Sequence, residues 1–254
     1  MDMNKKISVV IICKNEERII RYCLESIKWV DEIIVVDSGS TDKTLEIVSE
    51  YTDKIFVNTE WQGFGYQKQL AVSKASNDWV LASDSDEVVS EELKKELVKQ
   101  LDILDVRTVY RVNRLTHFCG KFIYYSGWYP CRIVRFFNKK YYNFSDKLVH
   151  ETVNCKDAKK VDMKGVLYHH TFDSIEVYID KRNRYAKAWA ESEYKKGKSN
   201  NVLSVISHSL FSFIRHYFIR LGFMDGYHGF LIAMIQMQYT FNKYNFLRFK
   251  NAEK

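Results

Sequence analysis

A chain of 254 residues, 46% of them apolar, suits one α/β domain of the larger kind or one domain with an appendage, and it can bury a sizeable core. Its formal charge of +7 points to an anionic partner: phosphate, nucleic acid or a lipid surface. The five cysteines are odd in number and scattered without a CxxC pair, which argues against a zinc site or a disulfide framework and for a reducing compartment.

The opening MDMNKKISVVIICKNEE has only a short apolar run before charges resume, so it does not read as a signal peptide. No stretch reaches the roughly 18 uninterrupted apolar residues of a membrane span. Ile7 to Cys13 is a β-branched run that reads as a buried parallel strand. Asn15 is placed to cap the helix that follows, whose apolar positions Ile19, Ile20, Cys23, Leu24 and Ile27 recur at helical spacing. Glu32 to Val36 is a second strand closed by Asp37. The turn Ser38-Gly39-Ser40-Thr41 leads to a helix ending near Ser49, capped by Thr41 or Asp42. Lys54 to Val57 makes a third strand, WQGFGYQ a loop, and Gln67 to Lys74 a helix. Asp78 to Ser83 is the fourth strand.

This alternation predicts an α/β fold with a doubly wound, mostly parallel sheet and ligands at the carboxyl ends of its strands. Asp37 and the pair Asp84 and Asp86 fall at such ends. Beyond Leu104 the rhythm changes to short aromatic strands at Thr108–Arg114, Lys121–Tyr125 and Arg132–Phe137, with another at Val166–His169. Ser174 starts a long polar helix to about Lys196, broken by Gly197-Lys198-Ser199-Asn200. The expected organisation is a domain over 1–172, divided near 104 where the rhythm changes, then a helical extension over 173–254.

Residues 83–87 read SDSDE, three carboxylates that repel one another unless a cation sits among them. An acidic helix start capped by Ser90 would account for them without any ligand. A divalent ion held by Asp84 and Asp86, two residues apart, would account for them as a site, since Mg²⁺ or Mn²⁺ takes one or two carboxylates plus substrate phosphates. A lysine or arginine would need a partner that the sequence does not identify.

The stretches ISVVIICKNEERII, IIVVDSGSTDKT and WVLASDSDE, in this order and spacing, resemble the nucleotide-sugar-dependent glycosyltransferases of family 2, which have the GT-A fold. GFGYQKQ, GWYPCRIVRFF, LVHE, the strand end His169-His170 and LGFMDGYHGF extend the resemblance toward the branch that builds lipopolysaccharide cores, often described as β-glucosyltransferases acting on heptose. The resemblance implies an inverting transfer of a hexose, glucose in that branch, from a UDP-sugar to a lipopolysaccharide core or another lipid-linked saccharide. It also implies a divalent cofactor, Mn²⁺ or Mg²⁺.

By the same resemblance Asp37 meets the uracil or ribose, and its simpler reading is a turn-former before Ser38-Gly39. Ile12, Lys14, Glu17 and Ser85 line the nucleotide-sugar pocket. Asp86 is the direct metal ligand, and Asp84 contacts the ribose or the metal through water. Lys68 stands where the family has a basic residue, although Gln69 follows it in place of the usual Asn; as an alternative Lys68 is an exposed helix lysine. His169 resembles a late metal-binding histidine, and strand alternation lets only one of His169 and His170 face the site. Trp128, Arg132 and Arg135 fit acceptor or diphosphate contacts: an aromatic platform for a sugar face and guanidinium forks for phosphates. The two arginines could instead lie on a solvated strand edge.

An inverting transfer needs a base for the acceptor hydroxyl. Family members often use an ED pair, and no ED occurs in this chain. Glu151 of LVHE occupies the expected place, with His150 as the alternative base, and Glu151 could also be an ordinary ion-pair partner for a nearby lysine. The stretch SVISHSLFSFIRHYFIRLGF, apolar with Arg215 and Arg220 inside it, reads as an amphipathic helix lying in a membrane interface or as a core helix. The positive charge favours the cytoplasmic, inner face of a membrane bearing anionic lipid.

Two other classes compete. A sugar-nucleotide nucleotidyltransferase would want a Gly-rich phosphate loop after the first strand, where this chain has the acidic CKNEER. A basic peripheral protein binding lipid or nucleic acid through RFFNKKYYNF would leave Asp37 and the SDSDE acids unexplained, so nucleic acid is not an expected partner.

Overall fold

The computed structural model describes residues 6–145 and 152–252. It forms two compact units. The first holds the chain up to Arg114 together with Cys131–His169, and the second holds Leu115–Pro130 together with the chain from His170 onward.

The elements up to Phe118 are β1 (Ile7–Cys13), α1 (Ile20–Ile27), β2 (Glu32–Asp37), α2 (Thr44–Ser49), β3 (Ile55–Val57), α3 (Phe64–Lys74), β4 (Trp79–Asp84), β5 (Glu87–Val89), α4 (Glu91–Gln100) and β6 (Thr108–Phe118). They are followed by β7 (Lys121–Phe122), β8 (Cys131–Asn138) and β9 (Lys159–Phe172). The sheet of the first unit runs β3-β2-β1-β4-β8-β6-β9-β5. Strands are parallel from β3 to β4, and β8 then joins β4 in the antiparallel sense.

The run Ile7–Cys13 is apolar at nearly every position because helices cover both faces. Ile7, Val9 and Ile11 pack with Ile20, Leu24 and Ile27 of α1 and with Leu93 and Leu97 of α4. Val10, Ile34, Val36, Val80 and Ala82 pack with Ala71 and Val72 of α3. Ser90 caps α4 as the sequence suggests, its Oγ accepting from Leu93 N at 3.2 Å.

Asn15 does not cap α1, which begins five residues later. It adopts a left-handed φ of 56°, which Asn tolerates, and its Oδ1 accepts from Thr41 N at 2.8 Å. β9 is much longer than Val166–His169, because β-pairing extends it through the polar stretch from Lys159.

Glu32 is buried at the start of β2, where it accepts from the Lys54 ammonium, the Ser8 hydroxyl and Ser76 N. Burial alone would raise its pKa. The bonds from Lys54, Ser76 and Ser8 outweigh burial and hold it at about 2. A depressed carboxylate pKa stabilises the fold above the unfolded value, and that stability disappears as pH falls toward the folded value. Glu32→Gln is therefore expected to cost about 3 kcal/mol in urea unfolding at pH 7 and much less near pH 2. A loss independent of pH would refute this account.

In the second unit, β7 pairs with the end of β6 (His117 with Phe122). α5 (Ile175–Lys195), α6 (Val202–Ile214), a π-helical turn (Arg215–Ile219), a 3₁₀ turn (Gly222–Asp225) and α7 (Tyr227–Ala252) follow. Ser174 caps α5 through its Oγ, which accepts from Val177 N at 3.4 Å. The core of this unit gathers Phe118, Ile123, Phe172, Tyr178, Ile232 and Ile235. Gly229 is required by close approach: a Cβ there would lie 1.7 Å from the Gly222 carbonyl oxygen. The carboxylate of Asp225, 2% exposed, accepts from Tyr124 N at 3.2 Å and Tyr125 N at 2.9 Å. Its carbonyl accepts from Lys121 Nζ at 2.8 Å. The motif LGFMDGYHGF is thereby a fastener for the loop after β7.

Candidate active site

The carboxyl ends of β1, β2 and β4 meet in register: Ile12 lies opposite Val36 on one side and Asp84 on the other, and Cys13 lies opposite Asp37. Asp37 is fully buried. Its carboxylate accepts from Gly39 N and Ser40 N, both at 2.8 Å, and from the Ser40 hydroxyl, so it builds the turn that follows it. With the Cys13 thiol, which donates to Oδ1, these donors take up its roughly four acceptor directions. Cys13 Sγ lies 3.6 Å away, and burial together with the Asp37 charge pushes its thiol pKa far up.

The loop after β1 is zipped to the loop after β2. Asn15 N donates to Ser40 Oγ at 2.9 Å, Glu16 N to Thr44 Oγ1 at 2.8 Å, and Lys43 N to Glu17 Oε2 at 3.0 Å. Glu17 thus fastens the start of α2, and Lys14 is exposed beside it.

The SDSDE acids part company. β4 ends at Asp84, residues 85–86 form a turn, and β5 begins at Glu87. Strand alternation stops at the turn, so the two-residue spacing of Asp84 and Asp86 does not by itself put them on one face. Asp84 Oδ1 meets Lys68 Nζ at 2.7 Å and its Oδ2 meets Arg135 Nη2 at 2.5 Å. The same Arg135 nitrogen reaches Glu87 Oε1 at 2.7 Å, with Arg114 Nη1 at 3.9 Å. Burial would raise the Asp84 pKa, but Arg135 and Lys68 outweigh it and hold the carboxyl far below the usual range. The cations among these two carboxylates are side chains. Lys68 is buried rather than an exposed helix lysine, its ammonium also lying 5.4 Å from the Phe144 ring centre. Neighbouring Gln69 turns away and donates to the Phe144 carbonyl at 2.7 Å.

Asp86 has a different neighbour. Its Oδ2 lies 3.2 Å from His169 Nε2, both side chains being mostly buried, because β5 pairs with β9 and sets Glu87 opposite His169. His170, on the other face of β9, belongs to the second unit and packs on His117 and Phe122 at ring separations of 5.3 and 5.6 Å. Ser85 is buried within the turn.

The two arginines expected at the diphosphate part company. Arg132 and Arg135 are three apart on one strand and so point to opposite faces. Arg135 joins the acids, whereas Arg132 is half exposed and shares Asp162 with Arg111, at 3.4 and 2.6 Å. Trp128 packs against Phe118, Phe172 and Tyr178 in the second unit's core, so it is no open platform. His150 and Glu151 lie outside the described residues. Sequence reasoning passed over Glu87 and Arg114 as functional residues. The only signal for them was Glu87's place in SDSDE, since Arg114 comes near through its β6–β8 pairing with Cys131.

Residues 8–158 match the family model described as glycosyl transferase family 2. The chain is 31% identical over 247 residues to the lipopolysaccharide core biosynthesis glycosyltransferase LpsC of Rhizobium meliloti, covering 92% of this chain and 89% of that protein. It is 33% identical over 244 residues to an uncharacterized glycosyltransferase of Rickettsia typhi, covering 91% and 82%. Among solved structures, S. aureus TarS 1–349 in complex with UDP is 16% identical, with 98% of this chain and 92% of that one covered at a TM-score of 0.47. With more than half of its length matched to the family model and these relatives aligned over most of theirs, the chain belongs to glycosyltransferase family 2.

Proposed function

We propose that the protein is an inverting, divalent-metal-dependent hexosyltransferase that moves glucose from a UDP-sugar to a lipopolysaccharide core or related lipid-linked saccharide, at the inner face of the cell membrane. The observation that carries the reading is the meeting of Asp86 with His169 at the end of β4, in a chain of this family. The relative LpsC, named for lipopolysaccharide core biosynthesis, supports the acceptor class.

The donor set fits a divalent ion of the Mn²⁺ or Mg²⁺ kind. Asp86 offers a hard carboxylate oxygen and His169 an imidazole nitrogen, and no larger group of His, Cys, Asp or Glu suited to a metal occurs among the described residues. Two protein ligands suit an ion that keeps sites for substrate phosphates. When bound, the ion would offset the negative charge that grows on the departing diphosphate. Asp84, held by Lys68 and Arg135, is left to orient the turn and to face the ribose. Asp37 and the zipped loops after β1 and β2 would receive the uridine, with Ile12, Lys14 and Glu17 beside them.

Transfer also requires a group that takes the acceptor hydroxyl's proton as the oxygen attacks the anomeric carbon, and Glu151 is assigned that role. Glu151→Gln is expected to lower kcat by at least about 10²-fold. UDP affinity should be unchanged, because the carboxylate meets the acceptor. Near-normal turnover in Glu151→Gln with loss in His150→Ala would transfer the role to His150. The reading as a whole is tested by UDP release from a panel of UDP-sugars, with and without chelator. Release from none of them would reject it.

A further inference from the structure

We propose that α6 and the turns after it form a monotopic docking surface for a bilayer of anionic lipid, with Arg215 and Arg220 taking the lipid phosphates. The inference rests on the proposed reading only for its purpose, delivery of the enzyme to a lipid-linked acceptor. The docking surface itself lies wholly within the second unit.

α6 packs against α7 through one edge. Val205, Ser209 and Ser212 are buried there, and Ser212 Oγ donates to the Gln236 carbonyl at 3.1 Å. At 100° per residue, Leu203, Ile206, Leu210 and Ile214 project from the opposite side, and all four are exposed, Leu203 by 73%. The apolar surface continues past the helix through Phe218 and Ile219 and into the turn at Phe223 and Met224, also exposed. Large apolar side chains exposed along one side of a helix and in the turns after it mark an interaction site.

Charge selects the occupant. Between residues 202 and 252 there are five Lys and Arg and a single acid, Asp225, whose carboxylate is buried on backbone N–H groups. Among the described residues neither Arg215 nor Arg220 has an ion pair. Burial, with Arg215 nearby, draws the Arg220 pKa down, as two neighbouring guanidiniums without a carboxylate should. Arg220 is also fixed in place: it lies on Gly127, whose absent Cβ would be 2.2 Å from its Nη1, and its carbonyl accepts from Ser126 N at 2.9 Å. A second copy meeting this face across a two-fold axis would set cation against cation, whereas anionic headgroups complement it.

The segment Val202–Ile219 is long and apolar enough to cross a membrane by length and composition alone. The packing favours lying on the surface. One edge of α6 is committed to α7, the helix ends at Ile214, and the chain reverses through the turns at 215–225. Arg215, about 120° round the helix from Leu203, flanks the apolar face, and a long basic side chain there can reach headgroup phosphates.

The test is flotation of the full chain with vesicles of phosphatidylcholine alone or mixed with phosphatidylglycerol. The protein should float with the mixed vesicles, bind the neutral ones far less, and detach in high salt. Arg215→Glu with Arg220→Glu should lower partitioning at least about tenfold, since each basic side chain near an anionic surface accounts for severalfold. Leu210→Ser with Phe218→Ser should lower it without altering the melting curve, which guards against a folding defect in the arginine variants. Failure to float, or equal binding to both vesicles, would overturn the inference. So would a concentration-dependent dimer in sedimentation that the Leu210 and Phe218 substitutions dissociate and vesicles leave intact. Because UDP release from a soluble donor needs no vesicle, flotation without UDP release would uphold docking and reject only the proposed reaction.

Discussion

Asp86→Asn is expected to abolish sugar transfer while leaving a folded protein with a cooperative melting curve. The substitution keeps the shape of the side chain and removes its charge. Asp86 lies beside His169 in the turn between β4 and β5, where its oxygen and the imidazole nitrogen can share an ion. Chelator should inactivate the wild type, and added Mn²⁺ or Mg²⁺ should restore it. His169→Ala should raise the metal concentration needed for half activity before it lowers the maximum. Asp84→Asn offers the contrast, because it removes the carboxylate that Lys68 and Arg135 share and should cost stability as well as rate. Full activity in chelator, or an active Asp86→Asn protein, would show that the turn at 85–86 has some other task.

The second large effect falls on stability. Arg135→Met leaves Asp84 and Glu87 close together without the guanidinium that joins them. Removing one member of a buried charge network costs about 3–5 kcal/mol, since the partners remain buried and uncompensated. Urea unfolding should report a loss of that order. Arg135→Lys should recover part of it, because a lysine restores the charge but not the planar fork that reaches both carboxylates. Adding Glu87→Gln to Arg135→Met should recover more than two independent changes would, since the two sites touch. A loss below about 1 kcal/mol for Arg135→Met would mean that Lys68 and Arg114 suffice as counter-ions.

The parallel half of the fold was legible because it follows from local pattern. β-branched runs such as Ile7–Cys13 bury on both faces, and helical spacing from Ile20 to Ile27 supplies the cover. Asp37 and the SDSDE acids were legible as a candidate site because carboxyl ends of parallel strands gather ligands. Their partners were not legible. Lys68 reaches Asp84 from a helix, and Arg135 reaches it from a strand 51 positions away, through pairings that no short-range signal encodes. Arg132 and Trp128 look as suited to sugar and phosphate as Arg135 does. Only the odd spacing on β8 and the aromatic packing around Phe118 separate them. Asn15 obeyed a different local rule from the one its position suggested, bonding across to Thr41 in place of capping α1.

The fastening of Asp225 to Tyr124 and Tyr125 bears on how the protein can be cut. A fragment ending near residue 172 would look like a natural catalytic core, since it retains the family match over 8–158. It would nonetheless keep Leu115–Pro130 while discarding Asp225, the Arg220 carbonyl and Tyr178, on which those residues depend. Phe118 and Trp128 would be bared to water and three backbone N–H groups would lose their acceptors. Such a fragment should express as an aggregate, and a workable shortened version would have to delete 115–130 along with the helices or retain both.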